Sequence, residues 1–150
     1  MKHFRLAAPF ALLAIVSLGA CSKEAPPPPP VPTTLAATPV PFRVTSVDLG
    51  KSVGDDKRVT AAATTFGTHD TLYAAISTEG AAAKVTLKAK WTFGAKGTLV
   101  NEETRDVAPT GPAVTEFHIA KPSGWPVGKY TLEVSVDGNP VATKEFDVKK

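Results

Sequence analysis

The 150-residue sequence has one cysteine, one methionine and three histidines. A lone Cys21 excludes any disulfide within the chain, so a domain built from it must hold by core packing alone. Methionine occurs only at position 1, which removes the thioether ligands of a soft-metal site. His3 lies in the basic N-terminal segment, which leaves His69 and His118 for the rest of the chain. Zinc takes three or four ligands, so two histidines without a thiol do not make a site, and no metal or other cofactor is expected. Asp55 and Asp56 are consecutive and lack the alternating spacing that gathers several oxygens around calcium. The apolar run Leu6 to Ala20 is shorter than the roughly 20 residues of a bilayer-spanning helix. After Cys21 no segment shows a helical period.

Catalytic signatures are equally sparse. Gly50-Lys51-Ser52 has the end of a phosphate-binding loop, but the glycine required five residues earlier is Thr45. No Gly-x-Ser-x-Gly elbow is present. Glu102 and Glu103 are neighbours on a predicted strand and so point to opposite faces, which does not pair them as acid and base. His69 and Asp70 are adjacent and do not form a dyad, and His118 alternates with Phe117 and Ile119 on a solvent-facing position. The chain is read as not an enzyme.

The N-terminus is more specific. Lys2, His3 and Arg5 precede the uncharged stretch Leu6 to Ala20, whose length and small terminal residues suit a signal peptide. Leu18-Gly19-Ala20-Cys21 resembles the lipobox of bacterial lipoproteins. That resemblance implies cleavage between Ala20 and Cys21, lipidation of the Cys21 thiol and acylation of the new amine. It also implies a membrane partner held through the lipid, because two or more acyl chains anchor stably where one does not. Ser22 after the lipidated cysteine resembles the outer-membrane side of enteric-type sorting, so the expectation is a cell-envelope protein at the outer membrane, facing the periplasm. Loss of Lys2 and Arg5 lowers the formal charge from +3 to +1, and no nucleic-acid partner is expected.

Residues 22 to 41, SKEAPPPPPVPTTLAATPVP, contain eight prolines. Pro26 to Pro30 should form polyproline II, and at about 3.1 Å per residue the segment reaches roughly 60 Å when extended. The divisions are a signal peptide at 1–20, the lipidated cysteine and proline-rich stalk at 21–41, and a folded domain at 42–150.

From Phe42 onward apolar and polar residues alternate. In KVTLKAKWTF, Val85, Leu87, Ala89, Trp91 and Phe93 share one face, and Lys84, Thr86, Lys88, Lys90 and Thr92 the other, which predicts a half-buried strand. KYTLEVSVDG places Tyr130, Leu132, Val134 and Val136 inward, with Thr131, Glu133 and Ser135 outward. A turn at DGNP returns the chain through VATKEFDV, with Phe146 and Val148 on one side, as a C-terminal hairpin. Further strands are predicted at 43–49, 58–65, 71–78, 99–107 and 114–120. Seven or eight short strands at roughly ten-residue spacing predict an all-β antiparallel sandwich. Trp91 inward on the strand corresponding to C, and Gly128-Lys129-Tyr130 in the manner of a tyrosine corner, resemble the immunoglobulin-like or fibronectin-III-like family of bacterial extracytoplasmic domains. The cysteines of its disulfide-bonded branches are absent.

Two surface features remain. Lys84, Lys88 and Lys90 form a row that reads either as a solvated face offset by Glu102, Glu103 or Asp106, or as a contact patch for an anionic polymer or acidic partner. Trp125, in PSGWPVG, either plugs the end of the sandwich or offers an aromatic anchor. The expected function is a membrane-anchored, non-catalytic interaction or accessory module for an envelope protein. The alternative is a small-ligand or cell-wall glycan-binding module using Trp125 and the lysine face.

Overall fold

The computed structural model describes residues 40–150. Ala20, Cys21, Ser22 and most of the proline-rich segment lie outside the described residues, as do the expectations attached to them. The described chain forms eight strands: β1 (Arg43–Gly50), β2 (Thr65–Gly67), β3 (Leu72–Glu79), β4 (Val85–Phe93), β5 (Thr98–Val107), β6 (Ala113–Ile119), β7 (Gly128–Val136) and β8 (Asn139–Lys149). They make a three-stranded sheet in the order β1-β3-β6 and a five-stranded sheet in the order β2-β8-β7-β4-β5. All pairings between strands are antiparallel except the short β2 with β8.

The two-residue period of β4 becomes the core. Val85, Leu87, Ala89 and Trp91 are buried, facing Leu72, Ala74, Ile76 and Phe117 of the other sheet. Tyr130, Leu132 and Val134 of β7 and Phe146 and Val148 of β8 complete the layer. Each large apolar side chain withdrawn from water in this way contributes about 1.5–3 kcal/mol. Tyr130 stacks on Phe146 at 5.3 Å, and Trp91 meets Phe146 edge-on at 5.9 Å.

The sequence expectations need correction at two places. Residues 58–65 are not a strand. Val53 and Val59 form one bridge and Gly50 and Ala62 another, and regular pairing begins only at Thr65. A strand exists through its ladder, and the loop from 51 to 64 finds only isolated partners. It folds back instead on the end of β1, where Ala63 N–H donates to the Leu49 carbonyl at 2.8 Å, and its Arg58 guanidinium reaches Ser77 Oγ of β3 at 3.5 Å. β3, the central strand of its sheet, is buried almost continuously, although its alternation is weak in sequence. Ser135, expected outward in solvent, is buried: a bulge between Val134 and Ser135 sets it opposite Pro140, with Lys88 on its other side.

The sandwich has two distinct ends. At one, the chain enters through Val40 and Pro41, and Ala81 donates to the Val40 carbonyl at 3.0 Å. The Pro109–Thr110 loop sits beside the same segment. At the other end lie the β4–β5 hairpin, the β2–β3 turn and the 120–127 loop, joined by Gly94 N–H to the Lys129 carbonyl at 2.8 Å and Trp125 N–H to the Thr68 carbonyl at 2.7 Å.

Candidate functional site

The far end is built around Trp125. Its backbone N–H is held by Thr68, and its indole Nε1 donates to the Asp70 carbonyl at 2.9 Å. One face of the ring meets Tyr130 at a near-perpendicular 82°. Only 6% of the residue is exposed, so Trp125 closes the end of the core. Tyr130 donates its hydroxyl to the Pro126 carbonyl at 2.9 Å, the bond expected of a tyrosine corner. Asp70 fastens the adjoining turn: its carboxylate accepts from Lys51 at 2.7 Å and from Gly67 N–H at 2.7 Å. The Lys51 hydrogen bond, followed by that from Gly67, holds the Asp70 carboxyl below its ordinary value.

Beside Trp125 opens a cleft of about 440 Å³, lined by Val100 and Asn101 of β5, by His118 to Lys121 at the end of β6, and by Trp125. A second hollow of about 200 Å³ shares Val100, Lys121 and Trp125 and is completed by Phe93, Thr98, Leu99, Pro126 and Tyr130. β5 and β6 are each the last strand of their sheet, so the cleft lies between two strand edges with unused backbone groups. Val100 is the extra residue of a bulge that shifts the register between Trp91 and Thr92. Leu99 beside it is 58% exposed. Lys121 is the only Lys, Arg, Asp or Glu among the residues lining either hollow, and it has no ion-pair partner among the described residues. His118 carries its own partner, with Nδ1 2.6 Å from Glu116 Oε1 and the ring beside Tyr73 at 5.3 Å.

The lysine row stands elsewhere, on the outer face of β4. Lys84 pairs with Asp106 at 2.9 Å and Lys88 with Glu102 at 3.1 Å, while Lys90 stands in register with Glu102 and Glu133. Lys84, and then the Thr86 hydroxyl, keep the Asp106 carboxyl below its usual value. The structure therefore does not bring Trp125 and the three lysines into one surface. Glu103 faces away from Glu102 and binds Arg105 at 2.8 Å, and the Arg105 guanidinium covers the Phe117 ring at 4.9 Å. Those two inward-leaning charges close the Val107 half of the gap between the sheets. Among the described residues no group of three or more His, Cys, Asp or Glu is placed to hold a metal ion.

Lys121, Val100 and Leu99 were not singled out by sequence reasoning. One signal existed: Leu99-Val100 puts two adjacent apolar residues at the start of a strand that is polar from Asn101 to Asp106, where strict alternation would separate them. Lys121 carried none, because its importance comes from β5 and β6 meeting across the sandwich.

The three-stranded sheet corresponds to A-B-E of the immunoglobulin fold, and β4, β7 and β8 to C-F-G, with β5 added beside C. The chain thus carries an all-β, immunoglobulin-like sandwich domain. No protein-family model matches it, and no curated protein matches it by sequence. Among solved structures it resembles a β-glucosidase of Erythrobacter marinus at 8% identity, with a TM-score of 0.50, over 73% of this chain and 15% of that one. An immunoglobulin-like protein of Pseudomonas aeruginosa aligns at 15% identity over 73% of this chain and 98% of the other, with a TM-score of 0.48. A Pseudomonas fluorescens alkylpurine DNA glycosylase bound to DNA aligns at 12% identity and a TM-score of 0.47, with this chain spanning 73% of itself and 30% of the enzyme. At these identities the likeness concerns the fold alone.

Proposed function

We propose that this protein is an envelope lipoprotein, anchored through Cys21 at the outer membrane and facing the periplasm, whose sandwich acts as a non-catalytic interaction or accessory module for another envelope protein. The observation that carries the reading is polarity along the domain. The chain enters beside Ala81 at one end, and the cleft opens between two strand edges at the other. The cleft therefore lies at the end of the sandwich opposite the chain's entry, where a partner is received. The cleft's polar chemistry supports recognition over catalysis: Lys121 has no titratable partner among the described residues, and His118 is occupied by Glu116.

The test compares wild type with Cys21→Ala in intact cells, using an alkyne-tagged palmitate probe, membrane fractionation and cross-linking with mass spectrometry. Expected are palmitate label and membrane association in wild type, both lost in the variant, and one dominant protein cross-link that depends on the anchor. Label absent from wild type overturns the anchor. Cross-links to lipid or peptidoglycan alone overturn the accessory role.

A further inference from the structure

We propose that the cleft beside Trp125 receives an extended segment of a partner protein, one carrying apolar side chains and a carboxylate, which pairs along the edge of β6 and places its carboxylate on Lys121. This inference names the surface and partner chemistry of the interaction module described above and rests on that reading.

Four consecutive residues, His118 to Lys121, line one wall. Side chains alternate along extended chain, so consecutive residues on one wall bring the backbone edge into it, at His118 and Ile119 of β6 and at Ala120 just beyond, while the Lys121 carbonyl is taken by Gly124 N–H at 2.8 Å. β6 is hydrogen-bonded only to β3, and this edge is open. An added strand satisfies such groups, while alternate side chains find pockets. Here the cleft is mixed, with Asn101, His118 and Lys121 beside the apolar Val100, Ile119 and Trp125, and the exposed Leu99 adds apolar surface in the adjoining hollow. The Val107 half of the same gap is shut by Glu103 and Arg105. The Trp125 half opens as the cleft, and Lys121, the one Lys, Arg, Asp or Glu that lines it, has no ion-pair partner among the described residues.

Charge selects among the occupants. A second copy pairing β6 against β6 would offer Glu116, but that carboxylate is held by His118 at 2.6 Å. The chain's own residues 22–39 contain one acid, Glu24, and the prolines at 26–30 have no N–H to give a strand edge. A carboxylate-bearing segment of another protein meets both requirements.

The test places the photo-reactive residue p-benzoylphenylalanine in the full chain, in intact cells, at position 120 in the cleft, position 143 on the β8 edge or position 90 on the outer face of β4. Expected is a cross-link to another protein from position 120 alone, to a segment containing alternating apolar residues and an Asp or Glu. A synthetic peptide of that segment should bind the full chain, lose at least tenfold in affinity with Lys121→Glu, and keep its affinity with Lys121→Arg. A cross-link at 120 to residues 22–39 or to a second copy overturns the assignment, as does a segment without a carboxylate or equal peptide binding by the Lys121→Glu variant. Protein cross-links from 143 or 90 but not 120 overturn the cleft and leave the interaction-module reading standing. No protein cross-link at any of the three positions overturns both.

Discussion

Tyr130 donates its phenolic hydrogen to the Pro126 carbonyl at 2.9 Å, across four residues of one loop. The bond bends the chain at the far end so that Pro126 reaches the cleft wall while the Tyr130 ring stays in the core, stacked on Phe146. Tyr130→Phe keeps the ring and removes the donor. The expected cost is about 1 kcal/mol. For a domain of this size that lowers Tm by about 4–8 °C. Burial also raises the Tyr130 hydroxyl above its ordinary pKa of 10.0. A raised folded pKa gives stability that is complete below the unfolded value and is lost as pH rises through the folded one. Wild type should therefore lose stability in alkali more steeply than Tyr130→Phe, as read from urea midpoints on either side of pH 10.

Asp70 tests the opposite pH limb. Lys51 and Gly67 N–H both stabilise its charged form, and its folded pKa lies below the ordinary 3.8. A lowered folded pKa contributes stability above the unfolded value, and the contribution disappears as pH falls through the folded one. The carboxylate is partly exposed, so water screens much of the Lys51 attraction. Asp70→Asn should cost about 0.5–1 kcal/mol at neutral pH. The gap to wild type should narrow as pH falls below the ordinary carboxyl value of 3.8. Urea denaturation at the two pH values measures it, and a constant gap would show that Asp70 acts through geometry rather than charge.

Much of this architecture could be read from alternation. β4 and β7 are central strands with one face against the core, so their periodicity of two survives intact in Val85 to Trp91 and Tyr130 to Val134. β3 was harder because its outward-facing Ala75 and Ser77 are buried as well as its inward-facing Ala74, with Arg58 reaching Ser77 from the 51–64 loop. Residues 58–65 misled because they lie between the turn signals GKSVGDD and GTHD, a spacing that says nothing about whether a partner strand is within reach. The tyrosine corner was legible, since it is local. The cleft was not, since it exists only where the edges of β5 and β6, strands of different sheets, face each other.

The entry of the chain depends on Gly80. Its φ is +85°, and a Cβ there would lie 2.2 Å from the Pro41 carbonyl oxygen. Gly94 has a similar φ of +68°, but a Cβ on it would meet nothing within 4 Å, so it isolates the backbone effect from the clash. Gly94→Ala should cost about 1–2 kcal/mol, the penalty of left-handed backbone for an L-residue. Gly80→Ala should exceed it by at least about 1 kcal/mol, because Val40–Pro41 must move away from Ala81. Paired urea melts decide this, and equal costs would mean that the entry segment yields freely.

Trp91 offers the sharpest test of core energetics. The residue is fully buried, yet its indole N–H has no hydrogen-bond partner among the described residues. An unsatisfied buried donor costs about 1–3 kcal/mol, and no protein group among the described residues offsets that cost at Trp91. Trp91→Ala removes that penalty but opens a large void beside Phe146, and should still destabilise by about 3–5 kcal/mol. Trp91→Phe removes the donor while retaining an aromatic ring against Phe146, so relief of the orphaned N–H offsets part of the lost packing. Its expected cost is about 1 kcal/mol, well below that of an ordinary large-to-small core change. Chemical denaturation of both variants gives the comparison. A Phe variant as damaged as the Ala variant would mean that the indole's second ring, through packing alone, holds the two sheets together.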